Sequence, residues 1–164
     1  MGCLIDITTA ITFISDITNT ILSAEVTQRD SIKRQILEEQ HEPTLNKLIN
    51  EMKKYKLIMS KNILSKTQNL VDVLGTYTEK DRFAEFIKNV QIIDDVPTIN
   101  LEIGFKLLDH EKSLIYAAHY HGYHILTGNA TLIKKISNED GDLNIHVILH
   151  SSRSLFGNRH EFIK

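Results

Sequence analysis

The chain of 164 residues has no tryptophan, one cysteine and two prolines. A lone Cys3 excludes an internal disulfide and any cysteine-rich zinc module. Net charge is as small as −2, so there is no overall pull towards nucleic acid or an anionic surface, and a nucleic-acid partner is not expected. Long apolar runs are missing as well. Residues 4–26 lean apolar, but Asp6, Asp16 and a series of threonines interrupt them well short of the ~18 residues a membrane span needs. A basic leader with a small-residue cleavage site is also lacking, so the expected compartment is the cytoplasm, of a cell or of an infected host. No phosphate-binding glycine pattern occurs; "TGNATLIKK" has one glycine and the wrong spacing. Ser151 and Ser152 adjoin His150 in sequence only, which is no evidence for a catalytic triad.

What is present divides by composition. No glycine lies between Gly2 and Gly75, whereas five of the seven lie at Gly104 or beyond. Glycine and proline punctuate chains, so the first ninety residues read as long helices and the rest as shorter elements. Ile7, Ile11, Ile14, Ile17 and Ile21 fall three or four apart, which predicts a helical stripe despite the strand preference of Ile and Thr. "TQRDSIKRQILEEQ" continues as helix from a capping-box spacing at Thr27 and Asp30. After Pro43, apolar residues from Leu45 to Leu74 recur at helical intervals, with Gly75 as the stop. A short helix follows from Thr78 and Asp81 to Val90. Beyond Pro97 the period changes. "TINLEIGFKLL", "SLIYAAHYH", "YHILT", "ATLIKKI" and "LNIHVILH" read as strands separated by the turns "DHEK", "GN" and "NEDGD". The expected fold is α+β: an N-terminal long helical hairpin and a short helix over 1–90, then an antiparallel β-meander of four to five strands over 91–164, ending in a polar tail.

Seven of the eight histidines lie between His110 and His160. On a strand, His119 and His121 would share a face, and His146 from a neighbour could complete a three-imidazole zinc site with a metal-activated water. No carboxylate stands at a fitting offset. Histidines on a solvated face, with no cofactor, are therefore the preferred reading, and a His-dependent metalloenzyme is an alternative.

Charge is informative locally. Residues 1–42 carry seven acidic and three basic side chains; residues 43–66 carry six lysines against Glu51 alone. Lys47, Lys54 and Lys61 are spaced by sevens and would share one face of a long helix, most simply one that complements the acidic helix beside it. Gly2 and Cys3 form a candidate acylation pair, weakened by Asp6 where Ser or Thr is usual. The function expected from these features is binding or assembly without catalysis. The helical region would meet a protein partner or a second copy of the chain through Ile7, Ile11, Ile14, Ile17 and Ile21. A membrane-acting or lipid-anchored protein using the same first helix is an alternative.

Overall fold

A computed structural model describes residues 1–96, 107–137 and 145–157. Its architecture is α/β, and the expected hairpin-plus-meander is overturned. Five strands form one all-parallel sheet in the order β3-β2-β1-β4-β5. The strands are β1 (Gly2–Ile5), β2 (Lys56–Ser60), β3 (Gln91–Ile93), β4 (His124–Thr127) and β5 (Val147–Leu149). Eight α-helices appear among the described residues: α1 (Ile7–Ile14), α2 (Asp16–Asn19), α3 (Asp30–His41), α4 (Leu45–Met52), α5 (Lys61–Leu74), α6 (Tyr77–Ile87), α7 (Asp109–His121) and α8 (Ala130–Ser137). Strand β1 is central. It pairs with β2 in the register Leu4↔Ile58 and with β4 in the register Leu4↔Ile125.

The physical reason for the difference lies in how buried parallel strands look. Both faces of β1 are covered, so "GCLI" is a short apolar run without alternation. In the same way "KLIMS" sits inside a longer apolar series whose spacing also suits a helix. The expected helix from Leu45 to Leu74 is therefore α4, β2 and α5, with Ser60 capping α5 by accepting from Ile63 N–H. "SLIYAAHYH" lies in α7 and "ATLIKKI" in α8, so both are helix where strands were expected. "YHILT" and "LNIHVILH" do contain β4 and β5, but parallel to each other. The expected strand of "TINLEIGFKLL" falls almost wholly outside the described residues.

The threonine hydroxyls of α1 are satisfied within the fold, Thr12 Oγ1 donating to the Thr8 carbonyl at 2.8 Å and Thr9 Oγ1 lying 2.6 Å from the Leu126 carbonyl. Ser15 then breaks the stripe. Its N–H closes α1 on the Ile11 carbonyl, and its hydroxyl accepts from Ile17 N–H to start α2. One main core joins Leu4, Ile5, Ile14, Ile58, Met59, Phe83, Leu114, Ile125 and Leu126, drawn from both sides of residue 91. Each such side chain stabilises the fold by about 1.5–3 kcal/mol on burial.

Candidate functional site

The chain runs from β1 outward through β2 to β3, then returns to lay β4 and β5 on the other side of β1. In open parallel sheets the crevice beyond the carboxyl ends of the strands at such a reversal is where ligands bind. Here the reversal brings together Asp6, Thr8 and Thr9 after β1, Thr127 and Gly128 at the end of β4, and His150 after β5.

Asp6 is buried and caps α1. Its carboxylate accepts from Ile7 N–H at 2.7 Å, from the Thr127 hydroxyl at 2.6 Å and from the Thr8 hydroxyl at 3.2 Å. Gly128 N–H donates to Thr8 Oγ1 at 2.8 Å, which ties the end of β4 to the start of α1. Position 128 has no room for a side chain, since a Cβ there would stand 2.6 Å from Ser152 Cβ and 3.0 Å from His150 Cε1. The segment after β5 passes directly over it. His150 N–H donates to the Thr127 carbonyl at 3.0 Å, and its ring contacts Thr9 Oγ1 through Nε2 at 2.7 Å and the Ser151 carbonyl through Nδ1 at 2.9 Å. Burial lowers the His150 pKa below its ordinary value, outweighing the opposing pull of the Ser151 carbonyl and the Asp6 carboxylate.

Beside this ring opens a cleft of about 450 Å³, lined by Thr44, Asn50, Leu149, His150 and Ser151 and flanked by Glu42, Lys47 and Glu51. Below it the chain from 150 to 157 forms a strap across α1, α3 and α6. Arg153 donates from Nε to Glu39 at 3.0 Å, and Glu39 also receives the Thr44 N–H and hydroxyl, each at 2.8 Å. Gln35 and Ser15 hold Ser154. Glu79, with no solvent exposure, accepts four backbone N–H groups: Asp16 at 2.9 Å, Phe156 at 2.8 Å, Thr76 at 3.0 Å and Gly157 at 3.1 Å.

The residues singled out from sequence are scattered. His119 and His121 are exposed on α7, two residues apart on a helix and so facing different ways. His146 packs edge-on against His124 at 4.7 Å, while His121 stacks on Tyr123 at 4.9 Å. Among the described residues no group of three or more His, Cys, Asp or Glu side chains is arranged to hold a metal. Ile11, Ile14 and Ile17 lie inside the fold, Ile7 is half-buried, and only Ile21 stands out, 98 % exposed. Lys47, Lys54 and Lys61 share no face, because α4 ends at Met52 and β2 intervenes. They pair separately with Glu42, Glu51 and Asp94. Gly2 and Cys3 belong to the central strand, and burial, followed by the Glu51 charge, pushes the Cys3 thiol up to about 12. Among the described residues no helix is long and apolar enough to cross a membrane.

Sequence reasoning passed over Asp6, Thr8, Thr9, Thr127, Glu39, Glu79 and Arg153. A detectable signal was an acid directly after the apolar run "CLI" and directly before a helix, the junction of a buried strand and its crossover. Fold and cleft together define a parallel α/β protein with a polar crevice between α4 and the end of edge strand β5. Residues 4–163 match the family described as "Protein of unknown function (DUF1308)", and the chain belongs to that family. No curated protein matches it.

Proposed function

We propose that the protein is a non-enzymatic binding protein that holds a small polar ligand in the cleft beside His150. The observation that carries this reading is the position of His150: a partly buried, titratable ring that reaches Thr9 at the start of α1 and also stands in the wall of a concave site beside the end of β5. A volume of about 450 Å³ lies in the usual range for small-molecule sites. The flanks carry both signs of charge, with an amide from Asn50 and a hydroxyl from Ser151, which suits a ligand with donors and acceptors. Binding is favoured over turnover because Thr8, Thr9 and Thr127 spend their hydroxyls on internal partners. The test is calorimetric titration of amino acids, nucleosides and sugar phosphates, repeated on Asn50→Trp, which fills the cleft. At least one compound should bind and lose at least tenfold in affinity in the variant. Binding untouched by Asn50→Trp, or no binding by any of the three classes, would end the reading.

A second reading keeps the expected self-association but moves its site. A groove of about 580 Å³ between α1, α4 and α6 is walled by Phe13, Ile49, Met52, Leu57 and Phe86. The Phe13 and Phe86 rings lie 5.0 Å apart. Apolar side chains of a second copy would fill it; the exposed Ile21 and Tyr77 are of that kind. Sedimentation equilibrium over a range of concentrations tests this, with Ile49→Asp expected to abolish any dimer. A wild-type chain that stays monomeric throughout would remove it.

A further inference from the structure

Two contacts of one hydroxyl and one ring compete for too few protons. Thr9 Oγ1 lies 2.6 Å from the Leu126 carbonyl and 2.7 Å from His150 Nε2, while His150 Nδ1 lies 2.9 Å from the Ser151 carbonyl. Carbonyl oxygens only accept, and a threonine hydroxyl has a single hydrogen to give. Nδ1 therefore carries a proton to meet Ser151. If Thr9 donates to Leu126, the contact with Nε2 is a hydrogen bond only when that nitrogen is also protonated, as in the imidazolium. If the ring is neutral, the Thr9 hydroxyl must turn to donate to Nε2. The Leu126 carbonyl is not orphaned by this turn, because Asp6 N–H also reaches it, at 3.2 Å. Both charge states thus have a complete set of partners, and they differ by the rotation of one buried hydroxyl.

We propose that Thr9 and His150 form a proton switch, in which the Thr9 hydroxyl follows the charge on His150 and lets the cleft gain or lose a positive charge without unfolding. The charged groups around the ring are consistent with this. Asp6, at the β1–α1 junction, is a carboxylate whose charge acts on the ring and which is itself held by Ile7 N–H and the Thr127 hydroxyl. From the cleft wall, Glu42 at the end of α3 is paired with Lys47 of α4 at 2.9 Å, and Glu51 of α4 with Lys54 at 2.9 Å. On the strap itself, Arg153 is engaged by Glu39. Among the described residues His150 is the imidazole that lines the cleft itself; His41, whose charge acts on Glu42, lies outside that lining. Burial sets its titration on the acid side of the ordinary imidazole value. The consequence for ligands rests on the binding reading above: an anionic ligand is held when His150 is charged and released when it is neutral.

The experiment is an NMR titration of the His150 ring in the wild type, Thr9→Val and Thr9→Ser, with backbone spectra confirming the fold at each pH. Valine keeps the shape of threonine but accepts no hydrogen bond, so the imidazolium loses its Nε2 partner. A lost bond to a charged donor costs more than one to a neutral ring, so the pKa should fall in Thr9→Val and return in Thr9→Ser. An unchanged pKa in Thr9→Val, or a His150 titration that coincides with unfolding in the wild type, overturns the switch. Sulfate, whose charge is constant across this range, supplies the ligand arm. It should shift the His150 and Ser151 resonances only below the ring's titration. If sulfate does nothing while the Thr9→Val contrast holds, the switch stands and the anion-binding consequence falls.

Discussion

Replacing Glu79 by alanine should strongly destabilise the protein, although Glu79 is far in sequence from most of what it holds. Its two oxygens take the Asp16 and Phe156 amides on one side and the Thr76 and Gly157 amides on the other. Alanine strands all four donors where water does not reach the carboxylate they lost. A buried donor left without its partner costs about 1–3 kcal/mol. Allowing two of the four to find new partners by relaxation, the loss is roughly 2–6 kcal/mol, against a typical total of about 5–15 kcal/mol. Glutamine is a graded control. It keeps one accepting oxygen but points an amide donor at two N–H groups, so about half the loss is expected. Urea denaturation followed by circular dichroism measures this, with midpoints compared at equal slope. Amide exchange at Phe156 and Gly157 then separates release of the strap from global unfolding. The reasoning is refuted if Glu79→Ala loses less than about 1 kcal/mol and those amides stay protected.

Other outcomes follow from single features. Cys3 should not react with an aromatic disulfide reagent in the folded protein at neutral pH, because its thiol holds its proton up to about 12, and should react at once in urea. Gly122 ends α7 with a φ of 71°, so Gly122→Ala should lower stability by about 1 kcal/mol and Gly122→Asn by less, read from thermal midpoints. Arg153→Ala leaves the buried Glu39 with only Thr44 for company and should cost about 3–5 kcal/mol by chemical denaturation. His121→Ala should keep the fold by circular dichroism, since the ring is exposed and its described contacts are with Tyr120 and Tyr123.

Helix signals written in exposed faces were legible. The stripe through Ile14 and Ile17 is α1 and α2, the stop at Gly75 ends α5, and a capping box does open α6, though at Thr76 and Glu79, two residues before the expected Thr78 and Asp81. Thr27 and Asp30 form no such box, for α3 starts after Arg29 without a side-chain cap. The strands were not legible for a definite reason. A strand covered on both faces has no alternation, and "LIM" within "KLIMS" is as good a helix turn as it is a strand. The site suffered from the same blindness. Asp6 and His150 lie more than a hundred residues apart, and only the parallel pairing of β1, β4 and β5 brings them together. Histidine counting pointed towards His119 and His121, whereas the ring buried against the first helix was His150.

A central first strand also sets a timetable. The two neighbours of β1 are made at very different moments: β2 begins at Lys56, but β4 only at His124. At translation rates of roughly 5–20 residues per second, the β4 side of β1 stays open for several seconds or more after the β2 side can close. During that interval Cys3, Leu4 and Ile5 present an apolar edge with unmade hydrogen bonds, the kind of template that other nascent chains can join. The fold thus opens this hazard once β1 is made and removes it only with β4. Production at reduced temperature or with chaperones in excess should raise the recovered yield, whereas improving the finished core would leave that interval unchanged.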